Sequence, residues 1–198
     1  MTQVPNYFWD SCVFAAFLRD QSSAYDIDSI EQYLDEARDG KCLIYSSTMS
    51  SAEVLPSHLK KGAAGSFEEF LEDFKGAIIP IDPNPNIMSL SGLLRDLPYK
   101  KGASTKRRLG TPDAVMLATA IYMQEAHGLT LTCFHTFDKG NKKDSDGTGS
   151  VPLIGYETWC EDFTPVQMAV AQKVIAMKRI EPIHPEPHLF KPQPGGKK

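Results

Sequence analysis

Four short apolar runs, Tyr7–Trp9, Leu43–Tyr45, Ala77–Ile81 and Leu129–Phe134, are each followed by a segment whose apolar residues recur at helical spacing. Runs of this length bounded by turn residues suit buried strands. Strands separated by helices cannot pair through tight hairpins; they cross over and lie parallel. The pattern therefore predicts an α/β fold, a three-layer α/β/α sandwich with a central parallel sheet of four to five strands. In such sheets ligands bind beyond the carboxyl ends of the strands.

The helices have readable ends. Ser11–Arg19 follows the first run. Asp28 and Glu31 have the spacing of a capping box, and Gly40 supplies a stop. Ser46–Leu59 reads as a polar turn and a helix that carries Glu53 and ends at Pro56. Ser66–Lys75 and Ile87–Leu97 are amphipathic. Thr111-Pro112-Asp113 opens an apolar helix running to His127, with Thr111 as N-cap, and Gly128 ends it. Leu153–Gly155 reads as a last short strand, and Thr164-Pro165 starts a final helix that ends near Arg179. The expected organisation is a main domain over 1–160, a C-terminal helix packed on it over 161–180, and a Pro-rich flexible tail over 181–198. Lys139–Ser150, rich in Gly, Ser and Lys, reads as a mobile loop.

Composition narrows the function. The net charge of −4 excludes an overall basic nucleic-acid binder, though not a local basic patch. No apolar run approaches the ~20 residues that span a bilayer, and MTQVPNYFWDS lacks the basic and apolar regions of a signal peptide. The expectation is a cytoplasmic protein with no membrane partner. The four cysteines, Cys12, Cys42, Cys133 and Cys160, are widely separated and form no zinc-ligand pattern. They read as small core residues, with Cys12 the best candidate for a reactive thiol.

Asp10 interrupts the apolar segment NYFWDSCVFAAFL. A carboxylate there costs several kcal/mol unless a cap, a cation or a metal compensates it. Three other acids occupy comparable positions: Glu53 after the second run, Asp113 at the start of the central helix, and Asp138 after the fourth run. Each also has an ordinary reading. Asp10 could take buried backbone hydrogen bonds, Glu53 could close a capping box with Ser50, Asp113 could complement a helix dipole, and Asp138 could form a turn. If the sheet is parallel, all four reach one edge, and carboxylates converging there call for cations. Oxygen-only donors suit Mg²⁺ or Mn²⁺.

The sequence resembles the PIN domain, the fold of VapC-like metal-dependent ribonucleases. The matching pieces are Phe8-Trp9-Asp10-Ser11, Ala52-Glu53-Val54-Leu55, the helix Pro112-Asp113-Ala114-Val115-Met116-Leu117-Ala118-Thr119-Ala120, and Thr136-Phe137-Asp138-Lys139, in the family's order. The resemblance implies an endoribonuclease that hydrolyses RNA with Mg²⁺ or Mn²⁺, leaving a 3′-hydroxyl and a 5′-phosphate. Asp10, Glu53, Asp113 and Asp138 would be its catalytic and metal-binding set, Asp10 and Asp113 as direct ligands. Ser11 and Thr136 resemble the family's polar residues beside the first and last acids and would contact substrate. The resemblance also implies a homodimer and, for a toxin of a toxin–antitoxin pair, an antitoxin or other regulatory protein as partner. The chain is longer than such toxins, with an expanded loop and an added C-terminal region.

Lys100, Lys101, Lys106, Arg107 and Arg108 precede Asp113. They read either as a solvated loop or as a patch that meets RNA phosphates, with Lys106, Arg107 and Arg108 as substrate contacts. Lys139, Lys142 and Lys143 could extend the patch. Asp144–Gly147 resembles a calcium loop only faintly, and His135 reads as structural. The alternative to the enzyme is a non-catalytic RNA- or protein-binding regulatory module on the same fold. A haloacid-dehalogenase-type hydrolase is disfavoured because Cys12 stands where its D-x-D motif needs an acid.

Overall fold

A computed structural model describes residues 4–59, 65–104, 106–140 and 149–185. Lys142, Lys143, Asp144–Gly147 and the Pro-rich segment beyond residue 185 lie outside the described residues. The strands are β1 (Asn6–Trp9), β2 (Leu43–Ser47), β3 (Ile78–Ile81), β4 (Cys133–His135) and β5 (Arg179–Ile180). They form one five-stranded sheet, all parallel, in the order β3-β2-β1-β4-β5. The helices are α1 (Ser11–Leu18), α2 (Ile27–Arg38), α3 (Ser50–Glu53), α4 (Phe67–Asp73), α5 (Pro85–Arg95), α6 (Thr111–His127) and α7 (Pro165–Ile175).

Period-two alternation divides the strand side chains between two cores. Phe8, Tyr45 and Phe134 pack with the apolar residues of α5, α6 and α7. Trp9, Ile44 and Ile78, one residue along each strand or on a neighbour, pack on the other face with α1, α2 and α4. The fold is thus α/β with helices on both faces of a parallel sheet. Among the described residues, no helix is long and apolar enough to cross a membrane. Pro80 sits within β3, which is tolerable because β3 is an edge strand with only β2 as neighbour.

Several element ends differ from the sequence expectation. Asp26, not Asp28, caps α2: its carboxylate accepts from the backbone N–H and hydroxyl of Ser29 at 3.1 and 2.7 Å. Gly110, not Thr111, is the N-cap of α6. The expected helix over Ser46–Leu59 shrinks to the four residues of α3 and a 3₁₀ turn at Pro56–His58, since Pro56 denies the chain a longer run. The fourth strand is only Cys133–His135, the part in register with Tyr7–Trp9 of β1.

The C-terminal region departs most. Leu153–Gly155 is a turn, not a strand; α7 stops at Ile175, and the last strand is β5, which completes the sheet beside β4. Residues 181–185, expected to begin the tail, run back across α2. The His184 backbone N–H donates to Ser29 Oγ at 3.0 Å and its buried imidazole lies 3.1 Å from Glu36. A length of chain with no apolar period is held by these polar contacts.

Arg179 ties this region together. Its side chain is 5% exposed, and its guanidinium donates to the carbonyls of Leu153 at 2.9 Å, Met177 at 2.8 Å and Val174, and to Glu157 at 2.7 Å. Arg179→Ala would strand buried carbonyls, each costing ~1–3 kcal/mol. We expect urea denaturation to show a loss of about 3 kcal/mol for Arg179→Ala and a smaller loss for Arg179→Lys, which keeps the charge but not the fork.

Candidate acidic site at the sheet edge

The strand order reverses direction at β1. From there the chain moves outward to β2 and β3, then returns to β4 on the other side. The gap beyond the carboxyl ends of β1 and β4 is therefore the topological switch point, where ligands of open α/β sheets bind. Asp10 is the first residue after β1, and Thr136 the first after β4. The backbone joins them: Asp10 N–H donates to the His135 carbonyl at 3.0 Å. The same strand order hosts dinucleotide sites, but those need a glycine-rich turn after β1. Here that turn is Asp10-Ser11-Cys12-Val13, without glycine.

Asp10 is 3% exposed. Its carboxylate accepts from Thr136 Oγ1 at 2.7 Å and Cys12 Sγ at 3.1 Å, and its other oxygen lies 3.4 Å from Ser11 Oγ. Burial raises its pKa against these hydrogen bonds, and the charge of Asp138 adds to the rise. Two hydroxyls connect the acids. Ser11 Oγ, near Asp10, donates to Glu53 Oε2 at 2.7 Å. Thr136 Oγ1, which donates to Asp10, accepts the Asp138 backbone N–H at 3.0 Å. Thr136 is completely buried, so its hydroxyl serves this bridge.

Glu53 is the last residue of α3. No capping box forms with Ser50, whose hydroxyl instead lies 2.9 Å from Ser46 Oγ, itself donating to the Trp9 carbonyl at 2.8 Å. The Glu53 carboxyl is raised by burial first and then by the charge of Asp10. Asp113, third residue of α6, accepts from the Gly110 backbone N–H, half of a capping box. A Cβ on Gly110 would fall 2.4 Å from Asp113 Oδ2, so any larger residue there would make the Asp113 side chain shift. Burial pushes the Asp113 carboxyl up to about 7, with further rises from Asp10, Asp138 and Glu53. Asp138 also acts as a turn former, accepting the backbone N–H groups of Gly140 at 2.9 Å and Leu153 at 3.0 Å.

These mutual influences bring all four acids into one electrostatic neighbourhood. Among the described residues, though, no three His, Cys, Asp or Glu side chains are placed to close on a metal ion. Cys12 belongs to the same neighbourhood. Its Sγ donates to Asp10 and accepts the Phe137 N–H at 3.2 Å, and burial beside that carboxylate raises its pKa well above the ordinary thiol value, so it stays a protonated donor. His135 is fully buried, lies stacked 5.0 Å from Tyr7, and is depressed by burial to about 3, which keeps it neutral.

Lys106, Arg107 and Arg108 lie elsewhere, lining a concavity that includes none of the four acids. Sequence reasoning missed Ser46, Ser50 and the structural part of Cys12. A serine inside β2, such as Ser46, or three residues past it, such as Ser50, carries no signal of which group it will meet. No family model, curated protein or solved structure matches the chain.

The Asp113 carboxyl moves from 3.8 in the ordinary case to about 7. Between these values the folded protein holds a proton that the unfolded chain has released, so this group's contribution to stability falls as pH rises through the window. His135 acts in the opposite sense below pH 6.5, so the difference between variants isolates Asp113. Metal-free Asp113→Asn is expected to melt higher than wild type at pH 8. The gap should close towards pH 4, with ~2–4 °C for each ~1 kcal/mol relieved.

Proposed function

We propose that the chain is a PIN-like, metal-dependent endoribonuclease. The observation that supports this best is the lodging of Asp10 at the switch point, with the Ser11 hydroxyl reaching Glu53, Thr136 linking Asp10 to the Asp138 backbone, and Asp113 raised by burial first and then by the charges of all three. A site that raises carboxyl pKa values this way is incomplete in charge; an added cation would relieve it.

The donor set suits a hard divalent ion, since every acid offers oxygen. Mg²⁺ keeps several waters and uses one or two carboxylates plus substrate phosphate, so a closed cage of three protein ligands is not required. Asp10 and Asp113 would be its direct ligands, with Glu53 and Asp138 holding a second ion or orienting water. When bound, such an ion would supply positive charge against the phosphodiester and acidify a water.

The chain's own residues set the geometry. Thr136 and Cys12 hold one oxygen of Asp10, and Ser11 lies by the other. Each bond fixes a carboxylate that burial alone would leave poorly placed. The backbone N–H groups of Gly140 and Leu153 do the same for Asp138. Asp113 carries a proton near neutrality until a cation displaces it. RNA is the proposed substrate, with a homodimer and an antitoxin or other regulatory protein as the partners that accompany this reading.

A non-catalytic binding module on the same fold is the second reading. It is favoured by the Thr136 hydroxyl and Cys12 thiol, which donate to Asp10 without an ion. Thermal melts with Mn²⁺ and RNA cleavage assays separate the two. Under the enzyme reading, Mn²⁺ raises the wild-type midpoint by several degrees. Asp10→Asn and Asp113→Asn then lose that response and lose cleavage by at least ~10²-fold, the upper end of what loss of a residue that merely orients a metal ligand costs. A wild type whose midpoint ignores Mn²⁺ and which leaves single-stranded RNA intact would establish the binding module instead.

A further inference from the structure

We propose that the basic concavity between the end of α5 and the approach to α6 binds backbone phosphates of the RNA strand, a few nucleotides from the bond cleaved at the acids; this rests on the ribonuclease reading. The concavity measures about 470 Å³ and is lined by Arg95, Asp96, Pro98, Lys106, Arg107 and Arg108 among others. Four cations face one acid there, in a chain whose net charge is −4.

Arg107 is engaged by the fold, but the other three cations have no carboxylate partner among the described residues. Lys41, Lys75, Lys100, Lys139, Lys173 and Arg179 all pair with carboxylates. Among the described residues no salt bridge engages Arg95, Lys106 or Arg108, and all three are exposed. Like charges crowded in a concavity repel one another, and a bound polyanion relieves that repulsion.

The concavity is built before any ligand arrives. Arg107 N–H donates to the Tyr99 carbonyl at 3.0 Å, drawing the loop shut, and Val151 N–H donates to the Arg108 carbonyl at 3.1 Å. The Arg107 guanidinium lies 4.5 Å from the Trp159 ring centre and donates to the Ser150 carbonyl at 3.2 Å. Leu97 and Leu109, on either side, are buried. Arg107 is thus a fixed wall, while Arg95, Lys106 and Arg108 are the free heads. Exposed point charges without an aromatic platform read the phosphate chain rather than base edges.

The reach to the acids is bounded by covalent geometry. Arg108 and Asp113 are five residues apart, so their Cα atoms lie at most ~18 Å apart at ~3.3–3.6 Å per residue. A stacked strand rises ~3.4 Å per nucleotide, so that backbone span equals about five nucleotides, to which the reach of the Arg108 side chain adds.

The test uses a fluorescently labelled single-stranded 12-nucleotide RNA and the full chain in excess chelator, where cleavage is silent. Anisotropy titrations between 50 and 200 mM salt are made on wild type and on Arg95→Ala/Lys106→Ala/Arg108→Ala. Each lost phosphate contact removes ~0.7 from the slope of log affinity against log salt, so the slope should fall by about two. A control with Lys41→Ala/Lys75→Ala/Lys173→Ala removes the same charge elsewhere and should leave the slope unchanged. Arg95→Glu, a single exposed substitution checked by circular dichroism, should weaken binding several-fold with the fold intact.

An unchanged slope in the basic triple variant overturns the proposal. So does stabilisation of wild type by millimolar inorganic phosphate without any RNA binding, which would assign a small phosphate-bearing ligand. Binding of an acidic peptide in place of RNA overturns it equally. Loss of RNA affinity in the triple variant, in a protein that never cleaves with Mn²⁺, keeps the concavity and removes the nuclease reading. Full affinity in a triple variant of an active nuclease does the reverse.

Discussion

The buried carboxylate of Asp10 is the constraint on which the rest of the structure depends. A charge at 3% exposure must be satisfied where it stands. The hydroxyl of Thr136 and the thiol of Cys12 do so, one from each of the two strand ends that meet at the switch point. Burial still raises the Asp10 pKa against those hydrogen bonds, and burial, followed by the neighbouring acids, raises the Asp113 carboxyl to about 7. A fold selected for stability alone would replace such a group by an apolar one, since buried charge is seldom stabilising. Its presence is better understood as a cost accepted for binding.

Parallel strands make the arrangement possible. Because every strand runs the same way, every connection that leaves the carboxyl edge can carry an acid to it. Asp10 leaves β1, Glu53 follows β2 through α3, and Asp138 follows β4. Asp113 arrives from the other side, at the first turn of α6, whose apolar body is buried against the sheet from Ala114 to Ile121. That burial fixes the helix, and Gly110 lets Asp113 fold back against its cap without a clash. The packing of the core and the placing of the acid are one event.

The sheet and its two helical layers were legible because apolar periodicity carries them. Asp10 was legible for the converse reason, as a violation of that periodicity. Boundaries were less so: Asp26 and Asp28 are chemically equal as caps, and only the path of the preceding turn selects Asp26. The strand Arg179–Ile180 has no period to display, and its arginine looked like the end of a helix. In the site, the acids could be singled out, but the bridges between them could not. Thr136 suggested a substrate contact, whereas its hydroxyl faces inward to Asp10, a direction set by pairing of β4 with β1 that no local pattern records.

The acids and the basic concavity together pose an electrostatic problem with one economical solution. An acidic edge repels a nucleic acid, and a basic concavity alone would hold one without acting on it. On the proposed ribonuclease reading, the five residues from Arg108 to Asp113, at most ~18 Å of backbone, let the two share one strand. The free heads of Arg95, Lys106 and Arg108 would supply attraction that survives whether or not a cation occupies the acids. The cation would then serve the reacting phosphate, not the affinity. On this account binding and cleavage draw on separate charges, so the two can fail separately.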